Sequence, residues 1–277
     1  MVELRWQRWI LACAMAVAGP VAAAPSWAEL AYQPVALGWS AREVDDASAG
    51  STRALVERAR AQGLEGCRRY CAQLQRVFAR LVPLARLQTE RARHLPWTLT
   101  VLRSADVDAM ALPGGRLLIS EVFLREQHLD DAMLAFVLAH EMSHSILEHE
   151  RQTLQYARQL LPRNVRRSVA DMYVEIDYNY TLLKSLEPVM QAGEFEADEL
   201  GLLLASAAGY APARQLRFIE AAAAQPEGAA PLVRTHPAAR ERLARLRERL
   251  PLALRIFAAA RAAKTASATS AHRAARS

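Results

Sequence analysis

The stretch Asp130-Asp131-Ala132-Met133-Leu134-Ala135-Phe136-Val137-Leu138-Ala139-His140-Glu141-Met142-Ser143-His144 decides the reading of this chain. Asp130 is a suitable N-cap, and Leu134, Val137, Leu138 and Met142 recur at helical spacing on a core-facing side. On such a helix His140 and His144, four residues apart, stand one turn above the other on one face and can chelate a single zinc ion. Glu141 takes the next angular position, where it can reach a water molecule beside the metal without being a ligand. The plain alternative is a helix with two solvated histidines. It fits poorly, because two unpaired imidazoles and a carboxylate are costly to bury in so apolar a helix.

A catalytic zinc takes three protein ligands and an open fourth position. Fifty residues beyond His144 comes Glu194-Phe195-Glu196-Ala197-Asp198, in a helix expected from about Gln191 to Ala208. Glu194 and Asp198 share a face there. Glu194 is the candidate third ligand, and Asp198 the candidate acceptor for the free ring N–H of a ligand histidine.

Working outward, Trp97 to Leu102 is a β-rich run, and Ala109–Leu112 and Leu117–Ile119 flank the tight-turn tripeptide Pro113-Gly114-Gly115. Residues 51–93 have helical spacing, with Leu55, Ala59, Leu74, Val77, Phe78, Leu81 and Leu84 as the apolar side. Residues 29–50 read as an irregular leader. From Asp130 the pattern is helical almost to the end, broken by prolines that include Pro162, Pro188 and Pro237. Helix, small sheet, then many helices makes an α+β fold. Between the two acidic and histidine motifs, residues 153–190 carry basic residues and then Tyr173, Tyr178 and Tyr180. They read as a helical insert forming a wall or lid over a cleft.

At 277 residues, with 52% apolar and 23% charged residues, the chain is long enough for a substantial core. The net charge of +6 resides in the ends. Residues 254–277 hold Arg255, Arg261, Lys264, Arg273 and Arg276 and no acids, and Arg5 and Arg8 outnumber Glu3, which leaves residues 29–253 neutral. A neutral body gives no footprint for nucleic acid. The Ala/Ser-rich tail from 254 reads as solvated and disordered, with weak peripheral contact to an anionic membrane surface as the other use for it. Residues 1–28 resemble a secretory signal: Arg5 and Arg8, a short apolar run from Ile10 to Ala18, then Ala22-Ala23-Ala24 or Ser26-Trp27-Ala28 as cleavage sites. That pattern implies export to a bacterial periplasm. Removal of the signal leaves Cys67 and Cys71, whose spacing on a helix face suits either a disulfide or two packed thiols.

H-E-x-x-H followed by E-x-x-A-D resembles the gluzincin peptidases of metallopeptidase family 48, over roughly residues 95–250. Ala111-Leu112-Pro113-Gly114-Gly115 is similar to that family's A-x-P-G-G turn, His149 to a non-ligand histidine after its zinc helix, and Thr235-His236-Pro237 to its late T-H-P box. The resemblance implies a mostly helical zincin-like domain (95–253) after an N-terminal segment (29–94), with a small sheet beside the H-E-x-x-H helix. It implies one Zn2+ on His140, His144 and Glu194, with Glu141 as base and Asp198 behind a ligand. His236 would lie near the metal, as a self-inhibitory fourth ligand or an oxyanion contact. Residues Ala111 to Gly115 would bind an extended peptide or protein substrate. The expected activity is a zinc endopeptidase of envelope proteins in quality control. The competing expectation is a non-catalytic envelope chaperone or assembly factor on the same fold, which has no need of Glu141.

Overall fold

The computed structural model describes residues 38–162, 165–225 and 236–274. Residues 1–37, and with them the signal-like segment, fall outside it, as does Thr235. The elements in chain order are α1 (Ala41–Ala61), α2 (Cys71–Ala85), α3 (Glu90–His94), β1 (Thr98–Leu102), β2 (Ala109–Leu112), β3 (Arg116–Ser120), α4 (Glu121–Glu126), α5 (Asp131–Leu147), α6 (His149–Leu160), α7 (Val169–Tyr178), α8 (Tyr180–Ala207), α9 (Pro212–Gln215), α10 (Arg217–Ala224) and α11 (Ala239–Ala274). This is the mostly helical α+β architecture that the motif order implies. Among the described residues, no helix is long and apolar enough to cross a membrane.

The sheet has the order β1-β3-β2, with β1 parallel and β2 antiparallel to β3. The β2–β3 turn is made by Gly114 and Gly115, whose φ values of 87° and 73° suit residues without a Cβ. Gly115 also lies against Leu95, to whose Cβ an added Cβ would come within 3.0 Å.

Helix α5 starts at Asp130, whose carboxylate accepts from the N–H groups of Ala132 and Met133. It is buried nearly all round, as an apolar helix must be at the centre of a fold. On one side it meets β3, α2 and α8 through Leu74, Leu81, Leu117, Leu138 and Leu204. On another, Phe136 joins Leu202, Leu203, Ile219 and Leu246 beneath α11. Leu74, Val77 and Leu81 of α2 share the core of the sheet and α5.

Three expectations are corrected. The first helix begins at Ala41 rather than near 51, because Ser40 and Glu43 form a capping box: Glu43 N–H donates to Ser40 Oγ (3.2 Å) and Ser40 N–H to Glu43 Oε2 (2.7 Å). Pro188 does not break α8, which runs unbroken from Tyr180. A proline inside a helix costs about 3 kcal/mol, and here burial of Leu182 and Leu186 before it and of Phe195 to Leu204 after it outweighs that cost. The tail is helical to Ala274 rather than disordered, since it is rich in alanine and arginine, both strong helix formers, and Ala253 and Ile256 are anchored in the core.

Cys67 and Cys71 form a disulfide with Cα atoms 5.5 Å apart. The bridge spans the turn into α2 rather than one helix face, because Gly63 and Gly66 (φ 67° and 98°) end the preceding helical run. Within the bridged loop, the N–H groups of Arg68 (3.0 Å), Arg69 and Tyr70 (3.2 Å) all donate to Glu121 Oε1. Burial alone would raise the Glu121 pKa, but these three amides outweigh it and hold the carboxyl below its ordinary range. A folded-state pKa below the unfolded value stabilises the protein fully above about pH 5, and the gain is lost as pH falls through the folded pKa. Glu121→Ala should therefore cost about 1–3 kcal/mol at neutral pH by urea unfolding. The gap from wild type should close on acidification, and a gap unchanged down to the acid limit contradicts this account.

Candidate active site

His140 and His144 are carried by α5, and Glu194 and Asp198 by α8, which crosses α5 closely at Gly201. A Cβ on Gly201 would lie 2.8 Å from the backbone N of His140, so only glycine permits this approach. The crossing brings three donor atoms to one point. His144 Nε2 is 3.1 Å from His140 Nε2 and 3.3 Å from Glu194 Oε1, and His140 Nε2 is 3.5 Å from Glu194 Oε2. Two imidazole nitrogens and a carboxylate facing one another in a buried place repel unless a cation or a proton lies among them. Ligand atoms about 2.0–2.1 Å from a tetrahedral zinc stand about 3.3 Å apart. Both the chemistry and the spacing of His140, His144 and Glu194 therefore fit one zinc ion.

Each donor is held from behind. His140 Nδ1 lies 3.0 Å from Asp198 Oδ1, so the ring donates there and turns Nε2 inward. Asp198 is in turn gripped by Arg242 of α11, with Nε–Oδ2 and Nη2–Oδ1 both 2.7 Å. His144 Nδ1 faces His149 Nδ1 at 3.0 Å, and His149 Nε2 lies 3.2 Å from Glu196 Oε2. His236 is exposed, yet its Nδ1 is 2.7 Å from Glu194 Oε2, at the edge of the cluster.

Burial alone would lower the His140 pKa, but its hydrogen bonds to Asp198 and Glu194 outweigh this and raise it to about 10 in the metal-free chain. Burial would likewise raise Glu194, yet the imidazoles of His140, His144 and His236 against it hold it far below the carboxylate range. Asp198 is lowered against its burial by Arg242 and then His140. Burial pushes His149 down, which keeps it neutral.

The cluster opens into a cleft of 380 Å³. Its floor is His140, Glu141 and His144. One wall is the edge strand β2 with its turn, Ala109 to Gly114, and the other is Val189, Met190 and Gly193. Thr153, Val189 and Met190 bring the 153–190 insert to the cleft. Arg91 closes the far end, paired with Asp45 (2.7 Å) and Glu148 (2.8 Å). Of the residues expected to bind substrate, Ala111, Leu112, Pro113 and Gly114 line the cleft, while Gly115 backs onto Leu95 behind it. Arg242, Gly193, Gly201 and Arg91, and the role of Glu196 behind His149, are additions from the structure. Nothing in their spacing marks them, because each matters through the element it faces.

Such donors, on two crossed helices beside a cleft edged by a strand, place the protein among the zincin-type metallohydrolases. Residues 69–250 match the model of peptidase family M48, and the chain belongs to that family. A protein of Schizosaccharomyces pombe named mitochondrial metalloendopeptidase OMA1 is 30% identical over 183 residues, which cover 64% of this chain and 52% of the relative. One of Arabidopsis thaliana with the same name is 28% identical over 130 residues, 46% of this chain and 26% of the relative. The chain thus spans about half and about a quarter of the lengths of these two curated relatives.

Proposed function

We propose that this protein is a zinc-dependent endopeptidase acting on proteins of the bacterial cell envelope, in protein quality control. The observation that carries the reading is the convergence of His140, His144 and Glu194 within 4.8 Å beside Glu141, at the floor of a cleft with an edge strand. Zinc held there would lower the pKa of a water molecule toward neutrality and polarise a substrate carbonyl. An extended substrate adds to β2 by main-chain hydrogen bonds, which places a scissile bond over the α5 floor. Glu141 takes the proton of the attacking water and delivers it to the leaving amine. His236, at the cluster's edge, contacts the developing oxyanion or withdraws to admit the substrate.

The relatives' names place those proteins in mitochondria. For this chain the reading of envelope location rests on the signal-like residues 1–28 and on the Cys67–Cys71 bridge, which suits an oxidising compartment. The chaperone alternative leaves Glu141 in the cleft without a use. The test is metal analysis and casein cleavage by the mature chain and its His236→Ala variant, each with chelator and with zinc restored. We expect one zinc per chain and cleavage that chelation abolishes and zinc recovers. Stoichiometric zinc with no cleavage by either protein overturns the peptidase reading.

A further inference from the structure

The two histidines of the cluster are backed in different ways. His140 rests on a carboxylate, whereas His144 rests on another imidazole, and nothing in the zinc ligand set or the general base accounts for that imidazole. Its hydrogen-bond polarity can be worked out. Glu196 Oε2, 3.2 Å from His149 Nε2, can only accept, so the His149 proton sits on Nε2. A neutral imidazole has one donor and one acceptor, so His149 Nδ1 is the acceptor. His144 Nδ1, 3.0 Å away, must then be the donor. That leaves His144 Nε2 without a proton, placed to accept from His140 Nε2 (3.1 Å) and facing the same point as Glu194 Oε1, 3.3 Å away.

Two backbone features seat the intermediate ring. Glu148 joins α5 to α6 in the left-handed conformation (φ 59°, ψ 36°), unusual for a residue with a side chain. This conformation turns α6 back so that His149 lies beside His144, ring centres 4.9 Å apart. From the other side Gly193 leaves room: a Cβ there would stand 3.2 Å from His149 Cγ and 3.3 Å from its Nδ1. A ring wedged between a left-handed turn and a glycine, only 8% exposed, has its orientation imposed by the fold.

We propose that His149 and Glu196 are a positioning pair that fixes the His144 proton on Nδ1 and so presents Nε2 to the metal. The proposal rests on the zinc reading above for its purpose, but its central claim concerns the metal-free chain. Free histidine side chains favour the proton on Nε2, the wrong nitrogen for this site. The pair reverses that preference before any metal arrives.

The experiment has two arms on the full mature chain: ring 15N–1H correlation spectra of the metal-free protein at mildly alkaline pH, and zinc affinity by competition with a chromophoric chelator. Wild type should show His144 protonated on Nδ1. His149→Phe keeps the volume without the polarity. It should move the His144 proton toward Nε2 and weaken zinc binding by about ten- to a hundredfold. His149→Gln, whose amide can accept from His144 and donate to Glu196, should restore both readouts. Glu196→Ala, at a partly exposed position that tolerates truncation, should give a mixed His144 tautomer and a smaller loss. It decides the matter if His149→Phe does not fold. A wild-type tautomer and affinity in a folded His149→Phe, or a His149→Gln no better than it, overturns the pair. A wild type that takes up no zinc refutes the peptidase reading instead, while the spectra still decide the relay.

Discussion

Glu141→Gln should leave zinc content at the wild-type level and lower kcat by about 10²- to 10⁴-fold, the usual range for removing a general base. Glutamine keeps the length and hydrogen-bonding shape of glutamate but cannot take a proton. Glu141 lies on the cleft floor beside His140 and His144 and outside the donor set, so the change should spare the metal. The split between readouts is what makes the result informative. A fluorogenic peptide gives kcat and KM, and metal analysis on the same sample shows whether the site is still loaded. With chemistry slow, KM should approach the dissociation constant of the substrate and change little. Full turnover in a zinc-loaded variant would remove Glu141 from the mechanism and reopen the chaperone alternative. Loss of zinc together with turnover would instead assign Glu141 to holding the site together.

How much of this site could be read from the sequence follows from what each residue depends on. The α5 motif is legible because everything it needs lies within one helix: an N-cap at Asp130, an apolar stripe, and two imidazoles one turn apart. The hairpin is legible for the same reason, since Pro113-Gly114-Gly115 writes the turn locally. Glu194 and Asp198 are only half legible. As an acidic helix face they say little, and they acquire meaning from the histidines fifty residues earlier. Arg242 is not legible, because it is one of many arginines on α11 and matters only because α11 lies across α8 at Asp198. The early start of α1 was open to reading, in the Ser40-x-x-Glu43 capping box, but the nearby Pro34, Gly38 and Gly50 pointed the other way. The helical tail and the unbroken passage of α8 through Pro188 are tertiary effects, in which burial on distant elements overrides local preference.

Gly201 shows the same principle at its sharpest. Gly201→Ala should lower stability by about 1–3 kcal/mol, as overpacking of a close contact does, and should impair zinc binding although position 201 carries no ligand. Alanine at a helix interior ordinarily stabilises by up to about 1 kcal/mol over glycine, so the predicted sign is opposite to the helix propensity. The reason is what the new Cβ meets: backbone N of His140 at 2.8 Å, its Cα at 3.0 Å and the carbonyl carbon of Ala139 at 3.2 Å. These atoms belong to the main chain of α5 and cannot rotate away, so α8 itself must retreat. Asp198 lies one turn and Glu194 two turns along α8 from that contact, and both would move with it. Their separations from His140, 3.0 Å and 3.5 Å, leave little slack, and a misplacement of about 1 Å in a catalytic constellation can cost about 10²-fold in rate. Gly50→Ala is the internal control, since nothing lies within 4 Å of the added Cβ in the exposed helix α1. Urea unfolding should show that variant equal to or more stable than wild type. If Gly201→Ala behaves like Gly50→Ala and binds zinc normally, the helix crossing is not what sets the distance between the histidines and the carboxylates.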